Sequence, residues 1–425
     1  MRIANHLKVL VAAVIVASVP SVTVEAAEAD AKSLKKRPFT VIAVVDTGIN
    51  PYHVDFRAPE LSRHPSTYIS GFPRSARALN LSLSAATYEE AVARDKKKWD
   101  AVDPTKLYWV PGTNIVGAIG TSTESPENFL DQDETGPGHG TAVASLAGGR
   151  VHGPGTDDVL IVVVNSSTND MKLHEWAARQ PWIDVVTHSH VGCCPPTPEH
   201  SRASRIGVES GKLVCFGTGN FVVPVWAAGT QGPSWILSVG AASQTTRGEH
   251  AYTSFPTDVL GLSGVKIATH RSIDGEGFGI GTSMATPNVC GQAARVISEI
   301  RGVLGDYSEG AAAGLATGRK LEGRHLEDGC LDRAELEDAI QATAVPAQPS
   351  PPDPNDPVAI PAAPIVGFVR GGYGIVDHDS ADAAIDVLLG RTPRPERSLE
   401  DAWITQTDSV RDALYGSPPD PVGCL

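Results

Sequence analysis

Short apolar runs that each stop at a polar or turn residue set the tightest limit on the fold of this chain. Phe39 to Val45 is closed by Asp46-Thr47-Gly48, and Leu213 to Phe216 runs into Gly217-Thr218-Gly219-Asn220. Val159 to Val164, Ile183 to Thr187 and Ile236 to Val239 are of the same kind. Such runs are short for helices and, where β-branched, predict strands buried in a sheet. Between them lie helical patterns. His139 opens the small-residue stretch Thr141 to Ala147, which stops at Gly148-Gly149. Ser283 starts a long apolar stretch through Ile300, with Pro287 expected in the first turn of the helix. Strands alternating with helices predict a mostly parallel sheet flanked by helices, an α/β three-layer sandwich. Ligands of such sheets sit beyond the carboxyl ends of the strands, where Asp46 and Asn220 fall.

At 425 residues, 41% hydrophobic and 20% charged, the chain has a globular and not a disordered composition. A formal net charge of −14 argues against nucleic acid as a partner. At the N-terminus Arg2 and Lys8 flank the apolar run Val9 to Val19, and small-residue cleavage sites follow. This predicts a signal peptide over residues 1–26, with cleavage as late as 29, and a secreted, extracellular protein without a membrane anchor. Cys193, Cys194, Cys215, Cys290, Cys330 and Cys424 are then compatible with disulfides, whose pairing the sequence leaves open. His188, His190, Cys193 and Cys194 are metal-binding types, but their spacing matches no standard zinc site.

Three segments, in the order Asp, His, Ser, place a reactive side chain among glycines and small residues: Val44-Val45-Asp46-Thr47-Gly48, Gly138-His139-Gly140-Thr141, and Gly281-Thr282-Ser283-Met284-Ala285-Thr286-Pro287. A serine needs a base to become a nucleophile, and the base needs a carboxylate to hold its tautomer. Each residue alone has a plainer role: turn aspartate, structural histidine, helix-capping serine. The set has a chemical one.

In these segments the chain resembles the subtilisin-like serine proteases, the subtilases, in patches from about Val41 to Leu389. The resemblance implies a catalytic triad of Asp46, His139 and Ser283. Gly217-Thr218-Gly219-Asn220 resembles the family's oxyanion-hole segment, which gives Asn220 the role of charge stabiliser. The stretch Asp184 to Gly192 resembles the strand that pairs with extended substrate, implying substrate contacts from Ser189, His190, Val191 and Gly192. It also implies a peptidase domain over residues 38–391, with insertions at 57–106 and 344–364 and a tail at 392–425. The expected enzyme is a monomeric serine endopeptidase acting on extended polypeptides, with no cofactor required for catalysis. A peptide-binding module that kept the fold without catalysis is the alternative, and an esterase a third reading.

The chain departs from the family pattern in places. Asn288 stands where a histidine is usual, and His190-Val191 replaces the usual Leu-Gly. Asp55 matches a calcium-binding position of many relatives. The partner loop is missing, since Gly148 runs almost directly to Val159, so a structural calcium has no motif to support it. Between the cleavage sites and Val41 too little chain remains for a folding prosegment. Within the first insertion, Thr87 and Glu90 have capping-box spacing and Lys96-Lys97-Lys98 reads as a solvated helix face. Gly371 to Asp377 leads into a closing helix near Ala381 to Leu389.

Overall fold

The computed structural model describes residues 37–120, 129–130, 138–166, 171–189, 198–220, 232–250, 253–254, 256–304, 331–348 and 371–419. Strands are β1 (Thr40–Asp46), β2 (Arg77–Ala78), β3 (Tyr108–Trp109), β4 (Ile115–Gly120), β5 (Val159–Asn165), β6 (Val185–His188), β7 (Leu213–Gly217), β8 (Leu237–Ser243), β9 (Val259–Ser263), β10 (Val265–Ala268), β11 (Glu276–Gly279) and β12 (Ile375–Val376). Helices are α1 (Tyr88–Trp99), α2 (His139–Gly148), α3 (Met171–Arg179), α4 (Pro198–Glu209), α5 (Thr282–Leu304), α6 (Arg333–Thr343), α7 (His378–Leu388) and α8 (Ser398–Tyr415).

Ten strands form one sheet in the order β12-β9-β8-β7-β6-β1-β5-β4-β3-β2, and β10 pairs with β11 in a separate hairpin. The large sheet is parallel except where β3 meets β4. The predicted α/β architecture is therefore present. Both faces are covered, and the side-chain period of two divides each central strand between two cores. Ile42 and Val44 of β1, with Ile161 and Val163 of β5, pack against α2 and α5. Val41, Ala43 and Val45, with Leu160, Val162 and Val164, pack on the opposite side with Leu173 and Ala177 of α3. The chain crosses from β5 on one side of β1 to β6 on the other. Ligands of parallel sheets bind beyond the strand ends at such a switch, and Asp46 ends β1 there.

Several boundaries differ from expectation. α5 begins at Thr282 and runs to Leu304, so Pro287 is its sixth residue and lies beyond the first turn. Thr87 caps α1 by accepting from the Glu90 N–H (3.2 Å), but the Glu90 carboxylate takes the Ala86 N–H (2.9 Å) instead of completing a capping box. Lys96 and Lys98 pair with Asp100 and Asp95, both at 2.7 Å, and stay solvent-facing. The tail carries α8, whose Ile404 packs into the main core. Cys215 of β7 is disulfide-bonded to Cys290 of α5, with 6.6 Å between Cα atoms. Cys193, Cys194, Cys330 and Cys424 lie outside the described residues, as do the expected signal segment and most of the 344–364 insertion.

Candidate active site

Glycine backbones bring the first two motifs together. A Cβ on Gly140 would stand 2.2 Å from the Gly48 carbonyl oxygen, so α2 starts in direct contact with the turn that follows β1. Only a residue without a side chain fits there. The approach sets His139 Nδ1 2.8 Å from Asp46 Oδ1. Thr47 donates to the same oxygen through its N–H (2.8 Å) and hydroxyl (3.3 Å), while its hydroxyl also accepts from the Gly140 N–H (3.0 Å). Asp46 is buried and the His139 side chain is 28% exposed. Because a carboxylate only accepts, the Nδ1 of His139 carries the proton and Nε2 is left as the basic nitrogen.

Ser283 is the second residue of α5 and half-buried. Its hydroxyl donates to the Ser189 carbonyl (3.0 Å), and the Ser189 hydroxyl donates to the Ser283 carbonyl (2.8 Å). The second bond has a cause in sequence. Pro287, four residues on, lacks the N–H that would normally reach the Ser283 carbonyl, so a side chain supplies the donor.

Asn220 follows β7 and is exposed. Its Oδ1 accepts from the Thr282 N–H (3.0 Å) and hydroxyl (3.1 Å). An N–H must meet an oxygen, so this contact fixes the amide orientation and leaves Nδ2 as the outward donor. Thr282 also accepts from the Gly219 N–H (3.1 Å). The structure thus joins Asp46 with His139, and Asn220 and Ser189 with the Thr282–Ser283 turn. Of the other expected substrate contacts, His190, Val191 and Gly192 lie outside the described residues. His188 is packed face to face on the Phe216 ring, with centroids 4.1 Å apart.

The surroundings of Asp55 do not fit a calcium ion. One carboxylate oxygen accepts from the Val151 N–H (2.6 Å) and the His152 N–H (3.3 Å), and the other meets His152 Nδ1 (2.9 Å). His152 Nε2 continues to Glu276 at 3.2 Å. The Asp55 hydrogen bond raises the pKa of His152 above its ordinary value, against the opposing effect of burial. Among the described residues no group of three or more His, Cys, Asp or Glu is arranged to hold a metal.

Sequence reasoning passed over Thr47, Thr282, the Ser189 hydroxyl and His152. The only signal was a threonine beside Asp46 and another beside Ser283, and a histidine in the shortened loop after Gly148-Gly149.

The family model described as the Subtilase family matches residues 39–309, more than half of the chain. The chain belongs to the subtilase family. As a subtilase it is a serine peptidase acting on polypeptides. Its structure is similar to that of a cold-adapted subtilisin-like serine proteinase, at 20% identity over 69% of this chain and 86% of that one, with a TM-score of 0.38. A protease from Pseudoalteromonas arctica is 18% identical over 84% of this subtilase and 93% of its own chain (TM-score 0.45). A lanthipeptide protease is 16% identical over 83% and 89% (TM-score 0.47). No curated protein matches this subtilase in sequence.

Proposed function

We propose that this subtilase is an exported serine endopeptidase with Asp46, His139 and Ser283 as its triad and Asn220 in its oxyanion hole. The observation that carries the reading is the buried Asp46 carboxylate on Nδ1 of a partly exposed imidazole. In the proposed mechanism the Ser283 hydroxyl turns from Ser189 toward His139 Nε2, gives up its proton and attacks the substrate carbonyl. The tetrahedral oxyanion is stabilised by Asn220 Nδ2 and by the Ser283 N–H, which lies in a first helical turn where no intrahelical acceptor exists. His139 then protonates the leaving amine, and Asp46 stabilises the imidazolium in between. These steps use side chains and backbone alone, so catalysis needs no cofactor. Export is supported by the N-terminal sequence pattern and by a disulfide of the kind that oxidising compartments sustain. Among the described residues no helix is long and apolar enough to cross a membrane. Extended polypeptides are the proposed substrates, bound by a monomer.

A fluorophosphonate probe followed by peptide mapping tests the reading. Covalent label on Ser283, with hydrolysis abolished in a folded Ser283→Ala variant, is the expected result. A wild-type protein that binds peptides but takes no label is a binding module instead.

A further inference from the structure

The hairpin β10–β11 leads directly into the nucleophile, and its outer face is apolar where it arrives. β11 alternates inward and outward, so Glu276, Phe278 and, just beyond the strand, Ile280 share one face. Phe278 is 70% and Ile280 67% exposed. Single exposed hydrophobic residues carry little information. Two bulky ones side by side, five and three residues before Ser283, are a different matter. Their polar neighbours are engaged elsewhere: Lys266, opposite Phe278, reaches Glu276 at 2.8 Å, and Glu276 meets His152.

The position of this face relative to the reacting bond follows from the hairpin's packing. Ala268 of β10 donates to the Ser145 hydroxyl of α2 (3.3 Å), and Glu276 meets His152 just past the C-terminal end of α2. β11 therefore runs along the α2 side of the site, from the end of that helix toward Ser283. The Gly281 N–H, bonded to the Ser263 hydroxyl at 2.9 Å, anchors its exit. Ser189 follows β6 and Asn220 follows β7, strands of the large sheet to which the hairpin does not belong. An imidazole at the start of α2 delivers its proton to the departing amine, so that half of the substrate leaves on the side of the hairpin.

We propose that Phe278 and Ile280 form an apolar platform for the leaving half of the polypeptide, so that cleavage favours bulky apolar side chains just after the scissile bond. Ile280 lies within about 10 Å of Ser283 along the chain, which matches the first three residues of an extended leaving peptide. The inference rests on the endopeptidase reading and deepens it by naming a substrate preference.

The test uses internally quenched peptides that share one acyl half and differ only in whether the leaving half begins with Leu and Phe or with Ser and Asp. A nitrophenyl ester of the same acyl half has no leaving peptide. The wild-type ratio of kcat/KM, apolar over polar, is expected to be about 10-fold to 100-fold. It should fall toward one in Phe278→Ser/Ile280→Ser and persist in Phe278→Leu. A ratio is read within each variant, so a general loss of activity does not imitate the effect, and both side chains are exposed enough to replace without opening the core. A wild-type ratio near one, or a ratio unchanged in the double variant, overturns the proposal, while the peptide cleavage from which the ratio is read leaves the endopeptidase reading standing. Failure to cleave any peptide or the ester overturns both.

Discussion

The carbonyl oxygen of Ser283 is held by the hydroxyl of Ser189 at 2.8 Å, and the Ser283 hydroxyl returns the bond to the Ser189 carbonyl at 3.0 Å. Two serines from different elements thus satisfy each other where Pro287 interrupts the helical ladder. The end of strand β6 and the start of helix α5 are registered at that point.

Ser189→Ala should leave the Ser283 carbonyl without its donor at a partly buried site, costing about 1–3 kcal/mol. Pro287→Ala restores a backbone N–H, so the Ser189→Ala cost should shrink in that background. A double-mutant cycle on denaturant midpoints measures the difference. Strict additivity would mean that the two positions do not compensate one another.

At Asn220 acceptor and donor roles separate. Asn220→Asp keeps an oxygen for the Thr282 N–H and hydroxyl but loses the outward donor. Both Asn220→Asp and Asn220→Ala should therefore lower kcat by about 10²–10³ with KM little changed. Steady-state kinetics decide, and a full kcat in either variant would place the oxyanion elsewhere.

For His152 the sign follows from linkage. Its pKa is raised in the fold by Asp55 and then Glu276, while Lys266 lies beyond Glu276 and His53 near Asp55. The stabilisation is fully present below the unfolded pKa of 6.5 and is lost as pH rises through the higher folded value. Melting temperatures of wild type and His152→Gln should thus be furthest apart at mildly acidic pH and converge in alkali. A gap that widens with pH would reverse the assignment.

Arg411 of α8 is a buried cation, 3.0 Å from both Asp258 and Asp408, and its Nε donates to the Gly232 carbonyl at 2.9 Å. Burial, with Asp258 nearby, pushes the Asp408 pKa up to about 7. Arg411→Met leaves two carboxylates facing each other without compensation and should destabilise by about 3–5 kcal/mol. Urea denaturation of the variant checks this, and a loss under about 1 kcal/mol would show α8 to be peripheral to stability.

The central strands were legible because a strand buried on both faces must be apolar at every position, and Val159 to Val164 has no other reading. The motif positions were legible because close backbone approach leaves its mark as glycine, at Gly48 and Gly140 above all. β2, β3 and β12 were missed, each only two residues long and too short for any periodicity. α8 was missed for a different reason. Asp401, Asp408, Arg411 and Asp412 look like a solvated face in sequence, yet Arg411 is turned inward and paired. Pro287 was expected in the first turn but is the sixth residue of α5, and the Ser189 hydroxyl bond could not be foreseen without that register. The substitution of protein donors for a metal at Asp55 needs a contact between Asp55 and His152, 97 residues apart, which no local pattern encodes.

The bond between Cys215 and Cys290 closes a covalent ring of chain, and both Asn220 and Ser283 lie inside it. A peptidase is exposed to its own activity, and loops between strands are where a chain is first nicked. One cut anywhere between these two cysteines opens the ring but leaves its two pieces joined by the disulfide, so neither is set free. The nicked molecule stays in one covalent piece until the disulfide is reduced, and the strand before Asn220 stays tethered to the helix that carries Ser283. Self-inflicted damage to this part of the molecule is thus confined to a break in connectivity and does not become a loss of parts.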